Sequence, residues 1–451
     1  GRRKMADELG ADYVGRLDER YPNPGVSDLV TFWFPLAHDA LPDGGRAGFV
    51  ATQAIRDNAS RVRSLDYVVN HDGVIFDAVS VQPWSGDAVV HVSIVNWIKG
   101  AEHAPTEKTL WLDNGQLRLP VDHIPATLRP ATDVTKAIDL EGNKRPKVCF
   151  QGQTTGDVAG FRLSPQQADA MSRRDPGSAP FILPMISGNP LINALGTSGY
   201  VIDLPHTDAL EVTREAPAAV AHLREHVLPG REEAAADEIA NNAMASATNT
   251  KFKAKKHHQN FLATWWRHAY RRDDMIEAVE KLERGRYLAL TIVAAVDRKS
   301  IYQFVASNVR PDASLQVFAF DDDYSFGVLS SALHRLWFDE RCSKLKRDPR
   351  YTPTTVWNTF PWPLNPDPVI VRRIALLSAQ ILDVRQENLD KGMTLGAMYD
   401  ALRQPGKAAL RDLHDRLDAA VCEAYGFNPE DDLLAQLLAL NIAYAEDPDA
   451  A

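Results

Sequence analysis

Apolar residues in the first part of the chain recur at helical spacing and then in short continuous runs. The helical spacing predicts a helix over 29–41, with Ser27 and Asp28 available as caps and a turn sequence at 42–45 after its end. The apolar run at 47–52 predicts a short buried strand. A helix that leads into a strand is therefore expected here.

Three further elements follow in the same region. The pattern predicts a second helix at 60–70, a strand at 74–81 and a Val- and Ile-rich strand at 88–97, with a tight turn at 82–87. Helix–strand–helix followed by two hairpin strands is typical of the second half of a doubly wound sheet with an antiparallel edge hairpin. No pattern in the sequence predicts the first half of such a sheet, which carries the glycine-rich ligand loop.

The predicted secondary structure changes twice along the rest of the chain. Short strand-like pieces broken by Pro, Gly and Asp follow the half-sheet, and leucine-rich helical sequence runs from Arg372 onward. We therefore expect an α/β half-sheet at 1–100, a mixed α+β domain at 101–365 and a helical region at 366–451. The predicted fold class is α/β plus α+β.

Composition narrows the possible functions. The 451 residues include 50 Lys and Arg against 60 Asp and Glu, so the net charge of −10 excludes a thoroughly basic surface but not a local basic face. The longest apolar stretch, Leu288–Val296, is well short of the ~20 residues that span a bilayer. The sequence also shows no secretory leader, so we expect a cytoplasmic protein with no membrane partner. The first residue is Gly1, not Met, so we expect the remainder of a longer polypeptide.

The familiar catalytic and metal motifs are absent from the sequence. It has no GxG, no Walker loop, no HExxH, no GxSxG and no two adjacent prolines. Three scattered cysteines, Cys149, Cys342 and Cys422, exclude a disulfide framework and a CxxC metal site. His257 and His258 are neighbours that point in different directions on a helix, with no suitably spaced further ligand, so we expect no metal.

The strongest positive feature is a run of cations with interleaved aromatic residues, here called the basic segment (251–272). It contains no Asp or Glu. Clustered cations favour DNA phosphates because binding releases counterions. The alternative is a solvated helix whose aromatic residues face the core, and we expect the paired Trp265 and Trp266 to be core. The cations are Lys251, Lys253, Lys255, Lys256, Arg267, Arg271 and Arg272.

Trp84 is the second candidate, because it lies in the polar turn between the two predicted hairpin strands. An exposed ring there could stack on an unpaired base, which contributes about 1–3 kcal/mol. A ring folded back over the sheet edge is the equally open alternative.

Several phrases of the sequence together are similar to a known family. The chain resembles the bacterial DNA adenine methyltransferases that carry a C-terminal target-recognition domain, found in restriction–modification and phage-defence systems. The most specific combination is FGVLSS and HRLWF followed by TFPWP. The phrases, in chain order, are GVSDLVTFWFPLAHDAL, GRAGFVATQAI, RVRSLDYVV, VQPWSGDAVVHVSIVNW, FLATWWRHAYRRDDMIEAV, FGVLSSALHRLWF, RDPRYTPTTVWNTFPWP and LHDRLDAAVCEAYGF.

The resemblance implies that 1–100 is the back half of a Rossmann-like methyltransferase domain and that 101–365 is the target-recognition domain. The family's Pro-Pro-aromatic active-site loop and its glycine-containing cofactor strand are expected upstream of this sequence. No catalytic residue therefore transfers onto this chain, and the S-adenosylmethionine site is expected mostly in that missing part. We expect the chain to be inactive alone.

What the resemblance does transfer is Trp84, as the residue that stacks on the flipped target adenine. Adenine must leave the duplex before its exocyclic amine can be methylated, and the extruded base needs a stacking partner. The basic segment is then expected to contact the backbone of double-stranded DNA. The TFPWP phrase at 359–363 is expected to be structural.

Three functional hypotheses stay open from the sequence. The first is the C-terminal portion of an adenine-specific DNA methyltransferase that works with its own N-terminal half. The second is a non-catalytic DNA-specificity subunit that works with a separate methyltransferase or defence subunit. The third is a helical interaction protein with a decayed methyltransferase half.

Overall fold

The structure is a computed structural model of the 451-residue chain. It describes residues 5, 8–22, 28–56, 58–84, 90–129, 132, 134–193, 197–205, 208–248, 254–295, 298–345, 348–404 and 406–447. The chain divides into two compact units. Unit 1 comprises 1–137, 340–344 and 430–439, and unit 2 comprises 138–339, 345–429 and 440–451.

Unit 1 is built around one sheet with helices against it. The helices described within residues 1–137 include α1 (Ala11–Arg20), α2 (Trp33–Ala40), α3 (Asn58–Arg63) and α4 (Leu65–Asn70), with 3₁₀ turns at Leu29–Phe32, Gln53–Arg56, Ala101–His103, Asp113–Gly115 and Val134–Lys136. Its strands are β1 (Arg46–Thr52), β2 (Gly73–Pro83), β3 (His91–Lys99), β4 (Lys108–Leu112) and β5 (Leu117–Val121).

The order of strands in this sheet is β1-β3-β2-β4-β5. The hairpin strand β3 lies between β1 and β2 and is antiparallel to both, whereas β4 runs parallel to β2. The sheet thus continues beyond residue 100 through β4 and β5. Trp97 is fully buried in its core, stacks on Phe34 at 5.6 Å and donates a hydrogen bond to His38.

The predicted strands at 47–52, 74–81 and 88–97 are found with shifted ends, and the last two pair as the predicted hairpin. The expected position of this hairpin at the edge of the sheet is wrong, because β3 also pairs with β1 and β2 also pairs with β4. Both predicted helices are divided. Pro35 lacks the N–H that would bond to residue 31, so a 3₁₀ turn precedes α2. The second helix is interrupted at Ser64, whose backbone leaves the helical region with φ −102° and ψ −88°, and whose buried hydroxyl donates to the Ser60 carbonyl at 2.7 Å.

Eight strands of the described part of unit 2 form two four-stranded sheets. The strands are β6 (Cys149–Gln151), β7 (Arg162–Leu163), β8 (Ile182–Ile186), β9 (Gly199–Ile202), β10 (Arg286–Thr291), β11 (Gln303–Ala306), β12 (Arg310–Pro311) and β13 (Leu315–Phe318). The orders of strands are β11-β10-β13-β6 in the first sheet and β12-β8-β9-β7 in the second. In the first, β10 pairs antiparallel with β11 and β13; in the second, β8 pairs antiparallel with β9 and parallel with β12.

Helices make up most of the rest of the described chain, as the sequence predicted for its last part. Two further short strands, β14 (Ser343–Leu345) and β15 (Asp348–Arg350), form a separate two-stranded sheet. The helices are α5 (Glu141–Lys144), α6 (Val158–Phe161), α7 (Pro165–Arg174), α8 (Gly188–Asn193), α9 (Ala209–Glu215), α10 (Pro217–His226), α11 (Leu228–Thr248), α12 (His257–Ala263), α13 (Asp273–Glu280), α14 (Asp323–Ser330), α15 (Ala332–Arg341), α16 (Pro368–Asp390), α17 (Leu395–Ala401), α18 (Ala409–Tyr425) and α19 (Leu433–Glu446).

The phrases FGVLSSALHRLWF and TFPWP pack against each other in unit 2. The buried Trp337 indole donates to the Thr359 hydroxyl, and the His334 ring meets the Phe360 ring edge-on at 4.7 Å. Both phrases lie in one aromatic core, which gives these sequences a structural role in the fold.

The mixed α/β character expected from the sequence is confirmed, since several sheets and many helices are present. Among the described helices, none combines the length and the apolar character needed to cross a bilayer.

Candidate nucleic-acid interface

Trp84 lies where β2 ends in unit 1. Its backbone N–H donates to the Val90 carbonyl at 2.9 Å, which fixes the base of the hairpin turn, whose residues 85–89 lie outside the described part. The side chain is 44% exposed, so a large part of the ring is available for stacking. Its role toward a flipped base stays a prediction.

The basic segment lies in unit 2, and the structure separates its cations into different surroundings. Lys251 and Lys253 lie outside the described residues. Lys255 and Lys256 are exposed directly before α12. These two lysines therefore present solvated charges of the kind that contact phosphates.

The arginines near the end of the segment face protein carboxylates. Arg267 pairs with Asp273 at 2.9 Å, and Arg271 pairs with both Asp203 and Asp273, with only 11% of its side chain exposed. Burial alone would lower the pKa of Arg271, but Asp203 raises it above its usual value. Because these two guanidinium groups already pair with protein carboxylates, we expect them to stabilise the fold. The other cations of the segment are then the proposed phosphate contacts.

Asp203 lies at the centre of these ion pairs, and no local pattern in the sequence identifies it. Its fully buried carboxylate accepts from Arg271 Nε at 2.5 Å and from Arg310 Nε at 2.9 Å, with the Gln153 amide at 3.4 Å. Burial would raise the pKa of Asp203, but the neighbouring His268, Arg271 and Arg310 groups hold it below its usual value. The carboxylate thus joins strand β12 to the basic segment.

Tyr270 and Arg272 form an aromatic–cationic pair on the surface. The Arg272 guanidinium lies 5.2 Å from the centre of the Tyr270 ring, and Tyr270 is 45% exposed. The Tyr270 ring also lies 5.7 Å from the Phe261 ring and 6.5 Å from the His257 ring. Because His257 follows the two lysines, we define Lys255, Lys256, His257, Tyr270 and Arg272 as the basic surface.

The paired tryptophans are core residues, as the sequence predicted. Trp266 is 5% exposed and belongs to a cluster with Phe161, Val201 and Leu223, while Trp265 packs partly buried against the same cluster. The two indoles therefore anchor the segment to the core of unit 2.

A cavity of about 390 Å³ opens in unit 2 beside β10, and it does not fit S-adenosylmethionine. Its polar lining comes from Asn189, Thr291, Ser314 and Arg350, and no carboxylate lies in the described lining. Nucleoside cofactors are commonly held by an acidic side chain on the ribose hydroxyls and by a glycine-rich turn. The cofactor would be bound by residues other than these.

One group of described side chains has the right chemistry for a cation. The donor atoms of Asp43, Glu102 and His103 lie within 4.8 Å of one another, and all three residues are exposed. The His103 Nε2 lies 3.3 Å from the Asp43 carboxylate, so the ring already has a protein partner. Exposed acidic groups of this kind occur without metal, and the expectation of no metal stands as a prediction.

Comparison with known proteins gives a family for part of the chain. Residues 286–364 match the family model described as MmeI, target recognition domain. A segment of 120 residues is 31% identical to DNA methyltransferase A of Bacillus subtilis (strain 168), over 26% of this chain and 13% of that protein.

A solved structure of the type IIL restriction-modification enzyme MmeI in complex with DNA has the same fold. It matches with a TM-score of 0.74 at 20% identity, over 97% of this chain and 55% of that chain. The chain therefore spans about half the length of that enzyme. The resemblance seen in the sequence is confirmed, and the chain is similar to restriction–modification methyltransferases that carry a target-recognition domain.

Proposed function

We propose that this chain is the DNA-recognising C-terminal portion of a site-specific methyltransferase, which transfers a methyl group from S-adenosylmethionine to the exocyclic amine of a flipped adenine. The observation that carries the proposal is the strand order β1-β3-β2, with an antiparallel hairpin strand inserted between two parallel neighbours and Trp84 at its turn. The antiparallel hairpin supports the proposed back half of a methyltransferase sheet, although the hairpin lies inside the sheet and not at its edge.

The chain's own contribution to the reaction is to bind DNA and position the base. S-adenosylmethionine supplies the methyl group when bound. Methyl transfer depends on close alignment of amine and donor, so the residue that fixes the flipped base sets the rate. The half-exposed Trp84 ring is the proposed stacking surface for that base.

Binding of double-stranded DNA is proposed to use the basic surface in unit 2. Lys255 and Lys256 are exposed, and the Tyr270 ring lies beside the Arg272 guanidinium. The family-model match at 286–364 favours base recognition elsewhere in the same unit. The cations would then fix the position of the protein along the DNA backbone, and other side chains would recognise the base sequence.

The base-stacking proposal is tested in the complete enzyme by comparing Trp84→Ala with Trp33→Ala. Trp33 is also an exposed tryptophan of unit 1, with 56% of its surface accessible, and serves as the matched control. Trp84→Ala should slow methylation of duplex sites at least ~10-fold while DNA affinity stays within about two-fold, because stacking holds only the flipped base. Trp84→Phe should restore most of the rate. A normal rate for Trp84→Ala would refute the assignment.

A non-catalytic specificity subunit is the second candidate, favoured by the match of residues 286–364 to a target recognition domain. The two are separated by mixing the chain with a methyltransferase half that includes the Pro-Pro-aromatic loop. Methylation that requires this chain's own half-sheet supports the first candidate. Methylation by a partner that already has a complete sheet supports the second.

A further inference from the structure

Helix α12, which follows the two exposed lysines, has no cap of its own. The residue before its first turn is Lys256, whose side chain cannot accept a hydrogen bond, and no side-chain cap is formed there. The first N–H groups of a helix need acceptors from elsewhere. The direction of this helix, and of the lysines before it, therefore depends on a residue outside the segment.

Glu238 on the neighbouring helix α11 supplies those acceptors. Its Oε1 accepts from the His257 N–H at 2.9 Å, and its Oε2 accepts from the N–H groups of His258 at 3.1 Å and Gln259 at 3.2 Å. A carboxylate at a helix N-terminus is also stabilised by the helix dipole. One side chain thus fixes the whole first turn of α12.

Asn242, one turn further along α11, fixes the backbone of Lys255 itself. The Lys255 N–H donates to Asn242 Oδ1 at 3.0 Å, and Asn242 Nδ2 donates to the Lys255 carbonyl at 2.6 Å. Positions four residues apart lie on one face of a helix, so Glu238 and Asn242 both contact the backbone around Lys255 and Lys256 from the same face of α11.

We infer that Glu238 is a positioning residue for DNA contact, which holds Lys255 and Lys256 where they meet the phosphate backbone. This inference rests on the proposed function, since the lysines must contact DNA for their position to count. Simple electrostatics predicts the opposite effect. Glu238 is only 7% exposed and carries a negative charge behind a cationic surface, so its removal would strengthen DNA binding if charge alone decided.

That difference in sign makes the test decisive. Glu238→Gln keeps the size of the side chain but removes the charge and one acceptor, and Asp237→Asn removes an exposed charge from the adjacent position of α11 as the matched control. Affinity for a duplex oligonucleotide is measured with the full chain at several salt concentrations, next to the double variant Lys255→Ala/Lys256→Ala.

Positioning predicts that Glu238→Gln weakens binding by roughly ten-fold near 0.1 M salt. The salt slope should become shallower by up to about 0.9 for each phosphate that a lysine no longer neutralises. Asp237→Asn should leave binding unchanged or slightly tighter. Added to the double lysine variant, Glu238→Gln should have little further effect, because both changes act on the same lysine–phosphate pairs.

The results that would overturn the inference alone differ from failure of the proposed function. Unchanged or tighter binding by Glu238→Gln, or effects that simply add to those of the lysine variant, would refute positioning while leaving DNA contact intact. If the lysine variant itself binds as the wild type does, the basic surface and the inference both fail. Should Glu238→Gln not fold, as judged by circular dichroism, Asn242→Ala must show the same direction of change or the inference is refuted.

Discussion

Acid should weaken unit 2 through a buried histidine in its aromatic core. His334 is fully buried, with its two ring nitrogens each 3.2 Å from a tyrosine hydroxyl, those of Tyr302 and Tyr351. Burial lowers the pKa of His334 from 6.5 to about 3. A histidine with a lowered folded-state pKa stabilises the fold fully above pH 6.5 and loses that contribution as the pH falls towards 3.

The size of the effect follows from the two pKa values. Between about pH 7 and pH 5 the unfolded chain takes up about three quarters of a proton at this position and the folded chain almost none. Integrated over this interval, the difference lowers the stability by about 2 kcal/mol for His334. His414, whose pKa burial likewise lowers to about 3, adds a similar loss. His334→Gln removes one of these two linked protonations and keeps hydrogen-bonding atoms toward the tyrosines.

The assay is urea unfolding followed by tryptophan fluorescence at pH 7 and pH 5, since Trp337 and Trp357 lie in the same core. The compared quantity is the loss of unfolding free energy between the two pH values, which cancels any constant destabilisation by the substitution. The loss should be smaller by about 2 kcal/mol in His334→Gln than in the wild type. Equal losses in the two proteins would refute the assignment of a neutral buried histidine.

Two further predictions concern the packing of unit 2. Arg310→Leu removes a cation from the buried Asp203 carboxylate and should destabilise the unit by about 3–5 kcal/mol in urea, against less than about 1 kcal/mol for the exposed pair variant Arg284→Leu. A similar loss of unfolding free energy in both variants would contradict a structural role for the ion pair between Arg310 and Asp203. Gly327→Ala would place its Cβ 2.5 Å from Ile374 Cγ2 and 2.6 Å from Ser378 Oγ, so α14 and α16 must separate and the unfolding free energy should fall by about 1–3 kcal/mol. Gly142→Ala, with no atom within 4 Å, is the control that should stay near the wild type, and a Gly327→Ala variant of undiminished stability would disprove the close packing.

Three strands of unit 1, β1 to β3, could be predicted from sequence because their apolar residues are local signals, whereas β4 and β5 were not predicted as part of this sheet. The runs around 47–52 and 88–97 correspond to β1 and β3 with small shifts at their ends. The division of the predicted helices depends on details that periodicity does not record, the missing N–H of Pro35 and the non-helical backbone of Ser64.

The candidate site was only partly accessible from the sequence, because its organisation depends on contacts between distant residues. The basic segment has no carboxylate within it, which suggested free cations throughout. Asp203, 68 residues before Arg271, and Asp273, just beyond the segment, occupy two of its arginines. Glu238 reaches α12 from 19 residues upstream, and no local pattern identifies such a partner.

The proposed binding of duplex DNA through the basic surface is tested most directly by a salt titration. Affinity of the full chain for duplex DNA, measured between about 50 and 200 mM salt, should fall steeply on a log–log plot. The triple variant Lys255→Ala/Lys256→Ala/Arg272→Ala should weaken binding and reduce the slope by about 0.9 for each phosphate no longer neutralised. Absence of binding, or a slope that the triple variant leaves unchanged, would contradict DNA binding through the basic surface.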